Sequence, residues 1–143
     1  MKVIILRGLP GAGKSTWVAQ NAPNAVVCSA DSFLYEPDGR YNWTPQRLGM
    51  AHQKCQEKFS EALYARAETV VVDNCNLTNR DIKFYVEAAE KMGYPIEIRT
   101  LHVDPEVAKT RQLHGVPAEK YALLVQRLTM PLRPDWVKYE VVS

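Results

Sequence analysis

Lys2-Val3-Ile4-Ile5-Leu6-Arg7, followed directly by Gly8-Leu9-Pro10-Gly11-Ala12-Gly13-Lys14-Ser15-Thr16, decides how the rest of the chain reads. The first six residues form an apolar, β-branched run ending at a glycine turn, the pattern of a strand buried on both faces. The next nine match GxxxxGK[ST], and Trp17-Val18-Ala19-Gln20 behind them is compatible with a helix. A strand, a glycine-rich turn and a helix in that order bring main-chain N–H groups and the positive helix end round one point, where a phosphate fits. Gly8, Gly11 and Gly13 allow the tight turn and the close approach of backbone to ligand. Lys14 is placed to reach the β- and γ-phosphates of a nucleoside triphosphate, and the Ser15 hydroxyl to ligate Mg2+. The expected nucleotide-contacting residues of this loop are therefore Gly8, Pro10, Gly11, Ala12, Gly13, Lys14, Ser15 and Thr16.

Outward from the loop, strand-like runs alternate with helical patterns, which predicts an α/β domain with a mostly parallel sheet. Further strands are expected at 25–29, 69–73 and 96–103, with a weaker one at 137–142. Thr44 before Pro45 opens a helix carrying Leu48, Ala51, Cys55, Phe59 and Ala62 at helical spacing. Thr78 opens the next, with Ile82, Tyr85, Val86 and Ala89 inward and Gly93 at its end. Asp104-Pro105 starts a short helix running to about Gly115, and Pro117 another, with Tyr121, Leu124, Val125 and Leu128 on one face. The stretch 33–41, with Pro37-Asp38-Gly39, reads as a surface loop. Val70-Val71-Val72-Asp73 sets a carboxylate at the end of a buried-type strand, where it either joins Ser15 in holding Mg2+ or caps the turn. Asn74 and Asn76 follow in the same loop and are candidates to orient nearby groups.

The chain has 143 residues, 46% hydrophobic and 24% charged, so one domain over 1–143 is the simplest expectation and disorder is excluded. No apolar run reaches the roughly 18 residues of a membrane span, and the first run is too short for a secretory core; no membrane association and a cytoplasmic location are expected. Cys28, Cys55 and Cys75 are odd in number without CxxC spacing, which supports neither a disulfide framework nor a zinc knuckle. The net charge of +2 does not identify a nucleic-acid binder. Between Lys109 and Lys138, however, six basic residues stand against two acidic ones, a bias suited to phosphates or to a solvated face.

Four stretches in order, GLPGAGKST at 8–16, SADSF at 29–33, VVVDNCN at 70–76 and RQLHGVP at 111–117, resemble the phage-type polynucleotide 5′-hydroxyl kinase family and its cellular P-loop kinase relatives. The resemblance implies a three-layer α/β/α fold with about five strands and a helical lid at about 111–130. It implies ATP as phosphate donor, Mg2+ as cofactor and a nucleic acid 5′-hydroxyl end as acceptor. Asp31 stands where the family's carboxylate takes the acceptor proton, although a carboxylate there also suits capping of a short helical turn at 32–35. Arg111 stands at the first lid arginine, whose forked guanidinium matches the charge spread over a transferring phosphoryl group. The catalytic set implied is Lys14, Asp31 and Arg111, with Ser15 and Asp73 on the metal.

Two positions depart from the family pattern. His114 lies where some relatives have a second lid arginine, and reads as structural; Lys120 or Arg127 could substitute, Arg127 as a further nucleotide contact. Leu34 lies where phage enzymes have an arginine that grips a nucleic-acid phosphate. Arg40 and Arg47 are possible replacements, and Tyr35, Tyr41 and Trp43 could stack on a base or serve as packing anchors. His52 reads as a hydrogen-bonded, partly buried residue of the long helix, and Cys75 as packing. The readings that follow are an ATP-dependent kinase of DNA or RNA 5′-hydroxyls, a small-molecule kinase acting on a nucleoside, nucleotide or sugar, or a nucleotide-binding regulatory module.

Overall fold

The computed structural model describes residues 1–141. Five strands, β1 (Lys2–Arg7), β2 (Val26–Cys28), β3 (Thr69–Asp73), β4 (Ile96–Thr100) and β5 (Glu140–Val141), form one sheet in the order β2-β3-β1-β4-β5. Every pairing is parallel. Parallel neighbours need crossovers, and these are supplied by α1 (Lys14–Asn21), α2 (Pro45–Tyr64), α3 (Asn79–Lys91), α4 (Pro105–Arg111) and α5 (Ala118–Leu128).

The near-continuous apolar run of β1 is explained by its central position. Val3 and Ile5 pack with Val70, Val72, Ile98 and the inner faces of α2 and α3. Ile4 and Leu6 point the other way and pack with Val71 and Val18 of α1. Two-residue alternation thus feeds both faces of the sheet, giving the three-layer α/β/α arrangement. The stripe Ala51, Cys55, Phe59, Ala62 of α2 is buried, as is Ile82, Tyr85, Val86, Ala89 of α3.

Helix starts follow the sequence signals. The Thr44 side chain accepts from the Arg47 N–H with Pro45 in the first turn, and Thr78 forms a capping box with Asp81. β2 is one residue shorter at each end than 25–29, and the short helical turn runs Ala30–Phe33 rather than 32–35, so Asp31 lies within it; three further boundaries differ from expectation. β4 ends at Thr100 rather than Val103, because the chain leaves the sheet after Leu101 N–H donates to Arg7 O at 2.8 Å. α4 ends at Arg111, four residues short of Gly115. The last segment is a 3₁₀ turn over Pro134–Tyr139, which buries Trp136, before the two residues of β5; Val142 of the expected strand lies outside the described residues.

Candidate active site at the carboxyl edge of the sheet

β1 and β3 end side by side, with Leu6 opposite Asp73, so the turns after them meet at one edge. The turn after β1 folds over itself through Ala12 N–H to Leu9 O, and Gly11 and Gly13 take φ of 87° and 93°. At Gly11 a Cβ would lie 2.0 Å from the Ala108 carbonyl oxygen of α4, so only glycine lets the loop pass there. Leu9, Ala108 and Tyr121 form a small core beneath α4 and α5, and the Tyr121 hydroxyl donates to Pro10 O at 2.8 Å. The loop is therefore clamped from outside as well as hung from the sheet.

Lys14 Nζ lies inside the loop, donating to Gly8 O at 2.9 Å and Leu9 O at 3.0 Å. Lys14, Ser15 and Thr16 open α1, where amide N–H groups have no helical acceptor and face the same space. Ser15 Oγ donates to Asp73 Oδ2 at 2.9 Å. Burial pushes the Asp73 carboxyl above the usual carboxylate range, opposed by that hydrogen bond and by the Lys14 charge. A hydroxyl and a carboxylate this close, both hard oxygen donors, fit Mg2+, which takes few protein ligands and keeps several waters. The loop amides and Lys14 likewise fit a polyphosphate.

The loop after β3 is the frame of the site. Arg7, buried at the end of β1, donates from Nε to Asn76 O and from Nη2 to Leu77 O, each at 2.9 Å, and its own pKa is lowered by that burial. Asn76 adopts φ of 52° and donates from Nδ2 to Leu6 O at 2.7 Å. Asn74 Oδ1 accepts from the Ala30 N–H at 2.9 Å and so fixes the 3₁₀ turn Ala30–Phe33 that carries Asp31. Cys75 offers its carbonyl to Gly8 N–H, and burial raises its thiol pKa.

The opposite end of the cleft is built from the segment between β2 and α2. Here the expected loop at 33–41 is a tight hairpin: Tyr35 and Tyr41 pair as an antiparallel bridge, and Gly39 supplies φ of 89°. Pro-Asp-Gly between two tyrosines carries the turn chemistry for it, a signal available in the sequence. The pairing sets the two rings 5.4 Å apart, and Tyr41 Oη donates to Asp31 Oδ1 at 3.2 Å. His114, from the turn after α4, stacks on Tyr41 with centroids 3.8 Å apart and planes 6° from parallel. Its Nε2 is 3.1 Å from the Tyr35 hydroxyl and its Nδ1 3.7 Å from Asp31 Oδ2.

The loop residues Pro10 through Thr16 share one cleft of about 1160 Å3 with Asp31, Asp73 and Arg111. His114, Trp17 and Gln20, none of them singled out as a site residue from the sequence, also line it. Gly8 sits buried beneath it, and Arg127, in the last turn of α5, is not among its lining residues. Arg111 is exposed and has no ion pair or hydrogen bond among the described residues. Leu34 is fully buried in the core. Arg40 pairs with Asp38 at 2.7 Å, and Arg47 reaches Glu36 and the Asn42 carbonyl, bracing the hairpin. Trp43 lies under Lys120, 5.0 Å from its ring centre. His52 is exposed on α2 rather than partly buried, one position beyond the inward Ala51.

The AAA domain family, AAA_33, matches residues 3–116. The chain belongs to that family. The phosphate loop, the Asp73 strand and the Asp31 turn of this chain all fall inside the matched span. NEDD4-binding protein 2 of Homo sapiens is 30% identical over 131 residues, 87% of this chain but 7% of that protein, so the chain spans a small part of this relative. Among solved structures, one from the Pnkp1/Rnl/Hen1 RNA repair complex superposes with a TM-score of 0.73 at 20% identity, over 89% of this chain and 43% of that one. A sugar kinase from Janibacter sp. HTCC2649 gives 0.65 at 20% identity, over 100% of this chain and 84% of that one. The fold is that of the P-loop kinases. No helix among the described residues is long and apolar enough to cross a membrane.

Proposed function

We propose that the chain is an ATP-dependent phosphotransferase with an alcohol acceptor, and that the acceptor is the 5′-hydroxyl of DNA or RNA. The observation that carries the reading is the opening of Asp31 onto the same cleft as Lys14, Ser15 and Asp73. A nucleotide switch needs the last three and has no use for a carboxylate facing them across the cleft. Lys14 and the loop amides bind the donor's β- and γ-phosphates, and Ser15 and Asp73 hold the cation. Mg2+, when bound, neutralises charge that develops between those phosphates. Asp31 accepts the proton of the acceptor hydroxyl as its oxygen bonds to the γ-phosphorus and the β–γ bridging bond breaks, releasing ADP. Arg111, exposed at the cleft and without an ion pair among the described residues, is available to close on the transferring group.

The fold likeness to a component of an RNA repair complex supports the nucleic-acid acceptor. A second reading, a small-molecule acceptor, is favoured by one observation: Leu34, at the position of the phosphate-gripping arginine, is buried in the core, and Arg40 and Arg47 are engaged within the hairpin. Labelled γ-phosphate transfer to oligonucleotides with and without a free 5′-hydroxyl, and to free nucleosides and sugars, separates the readings. Label on 5′-hydroxyl ends alone, with binding that weakens as salt rises, supports the first. Label on free nucleosides or sugars alone replaces it with the second, and release of inorganic phosphate alone overturns both.

A further inference from the structure

His114, which reads from the sequence as structural, meets Tyr35, Tyr41 and Asp31 at the acceptor end of the cleft. It comes from the turn between α4 and α5, more than 70 residues from the partners it meets. Its ring lies flat on Tyr41, its Nε2 faces the Tyr35 hydroxyl, and its Nδ1 faces the Asp31 oxygen that Tyr41 does not hold. Asp31 itself is half exposed, with 53% of its side chain open to solvent, so packing does not fix its rotamer. Its orientation depends on these polar neighbours. The cation–π contact of Lys120 with Trp43 joins the same two segments at a second point. The α4–α5 segment thus bridges to the hairpin over the acceptor end of the cleft.

We propose that His114 is a positioning residue for Asp31: it aims the carboxylate along the cleft only while the α4–α5 turn lies across the hairpin. The inference rests on Asp31 being the acceptor-side base. Tyr41 holds Oδ1 from one side; His114 stacks flat on Tyr41, pairs through Nε2 with the Tyr35 hydroxyl and sets Nδ1 3.7 Å from Oδ2, so it braces the side chain that holds Asp31. Burial and the nearby Asp31 charge raise the Tyr41 hydroxyl pKa, so Tyr41 remains a donor. The arrangement follows the logic of an acid oriented by a hydrogen-bond donor that a third group holds in place, and ties alignment of the base to closure of the turn. An acceptor entering between Asp31 and the phosphate loop must do so with the turn open, and the base regains its aim as the turn closes.

The test joins kinetics with a contact measured in solution on the full chain. His114→Ala should lower kcat for phosphate transfer by up to about 100-fold, the cost of misplacing a reacting group by an ångström, with ATP KM and thermal midpoint unchanged. His114→Gln, which keeps an N–H donor at that reach, should recover part of kcat. Unchanged kcat in the alanine variant, or an equal loss of ATP affinity, overturns the proposal. Separately, the His114 ring protons should carry an upfield NMR shift from the Tyr41 ring, lost in Tyr41→Leu. No such shift in the wild type means that the turn does not cross the hairpin, and the proposal fails. If the wild type phosphorylates no alcohol while the ring shift is present, the functional reading falls, and with it the role for Asp31 that the proposal needs.

Discussion

At the donor end of the cleft the groups are positioned by main chain and by short polar contacts set between strand ends, whereas the acceptor end relies on exposed side chains from two distant segments. Lys14 is held by two carbonyls of its own loop, and Ser15, in the first turn of α1, by Asp73 at the end of β3, the strand that pairs residue for residue with β1. Asp31 rests on a four-residue 3₁₀ turn, and its partners are Tyr41 and His114. The donor end is therefore fixed by the sheet and by the clamp of α4 and α5 on the loop. The acceptor end is complete only when the hairpin and the α4–α5 turn have met, and so it can open and close at smaller energetic cost.

The largest effects should separate the two ends cleanly. Lys14→Ala removes the charge at the β- and γ-phosphates and should cut transfer by about 10³-fold or more, with ATP binding weakened in parallel. Asp31→Asn should cut transfer by about 10²–10⁴-fold with ATP affinity retained, because only the proton acceptor is lost. Transfer rates and nucleotide titrations of both variants check this. Should Asp31→Asn lose ATP as Lys14→Ala does, the two ends are one unit and the comparison breaks.

A smaller effect sharpens the account of the donor end. Gly11 and Gly13 have nearly the same positive φ, so alanine at either is strained by about 1–3 kcal/mol. Gly13 has nothing within 4 Å of a new Cβ, while at Gly11 that atom would meet the Ala108 carbonyl at 2.0 Å. Gly11→Ala should therefore be the more destabilising in chemical denaturation and should loosen α4 from the loop. Equal losses would mean that α4 does not clamp the loop in solution.

The same contrast governs what could be read from the sequence. β1, the glycine loop, β3 and Asp73 are continuous in sequence or end on adjacent strands, so spacing and periodicity reach them directly. Helix caps at Thr44 and Thr78 are equally local. Asp31 was legible through its place after a strand and a family resemblance, but the partners that orient it were not. Tyr35 and Tyr41 come together through a hairpin whose Pro-Asp-Gly signal by itself implies only a surface loop, and His114 arrives through tertiary packing that leaves no periodic trace. Leu34 marks a different limit: the position is occupied by core, which a motif alignment cannot distinguish from a changed contact. Arg127 was expected near the nucleotide, yet the turn of α5 that carries it is not part of the cleft wall.

The smallest effect concerns the cost of holding Asp73 ready. Burial raises its folded-state pKa above that of the unfolded chain, so the folded protein binds a proton at this site more tightly. The stability contributed by the bound proton is complete below the unfolded carboxylate pKa and is lost as pH rises through the folded one. At neutral pH the charged carboxylate therefore opposes folding, in spite of Ser15 and Lys14 nearby. Asp73→Asn keeps an oxygen to accept from Ser15 and removes that charge, so the ligand-free thermal midpoint should rise modestly at neutral pH. The gap to wild type should close as pH falls into the range where Asp73 protonates. Mg2+-dependent transfer should drop in the same variant, since the cation loses an anionic ligand. Thermal melts across pH, beside transfer assays with varied Mg2+, read both; a lower midpoint at neutral pH would mean that Ser15 and Lys14 outweigh burial, and that the donor end is stabilised rather than burdened by its carboxylate.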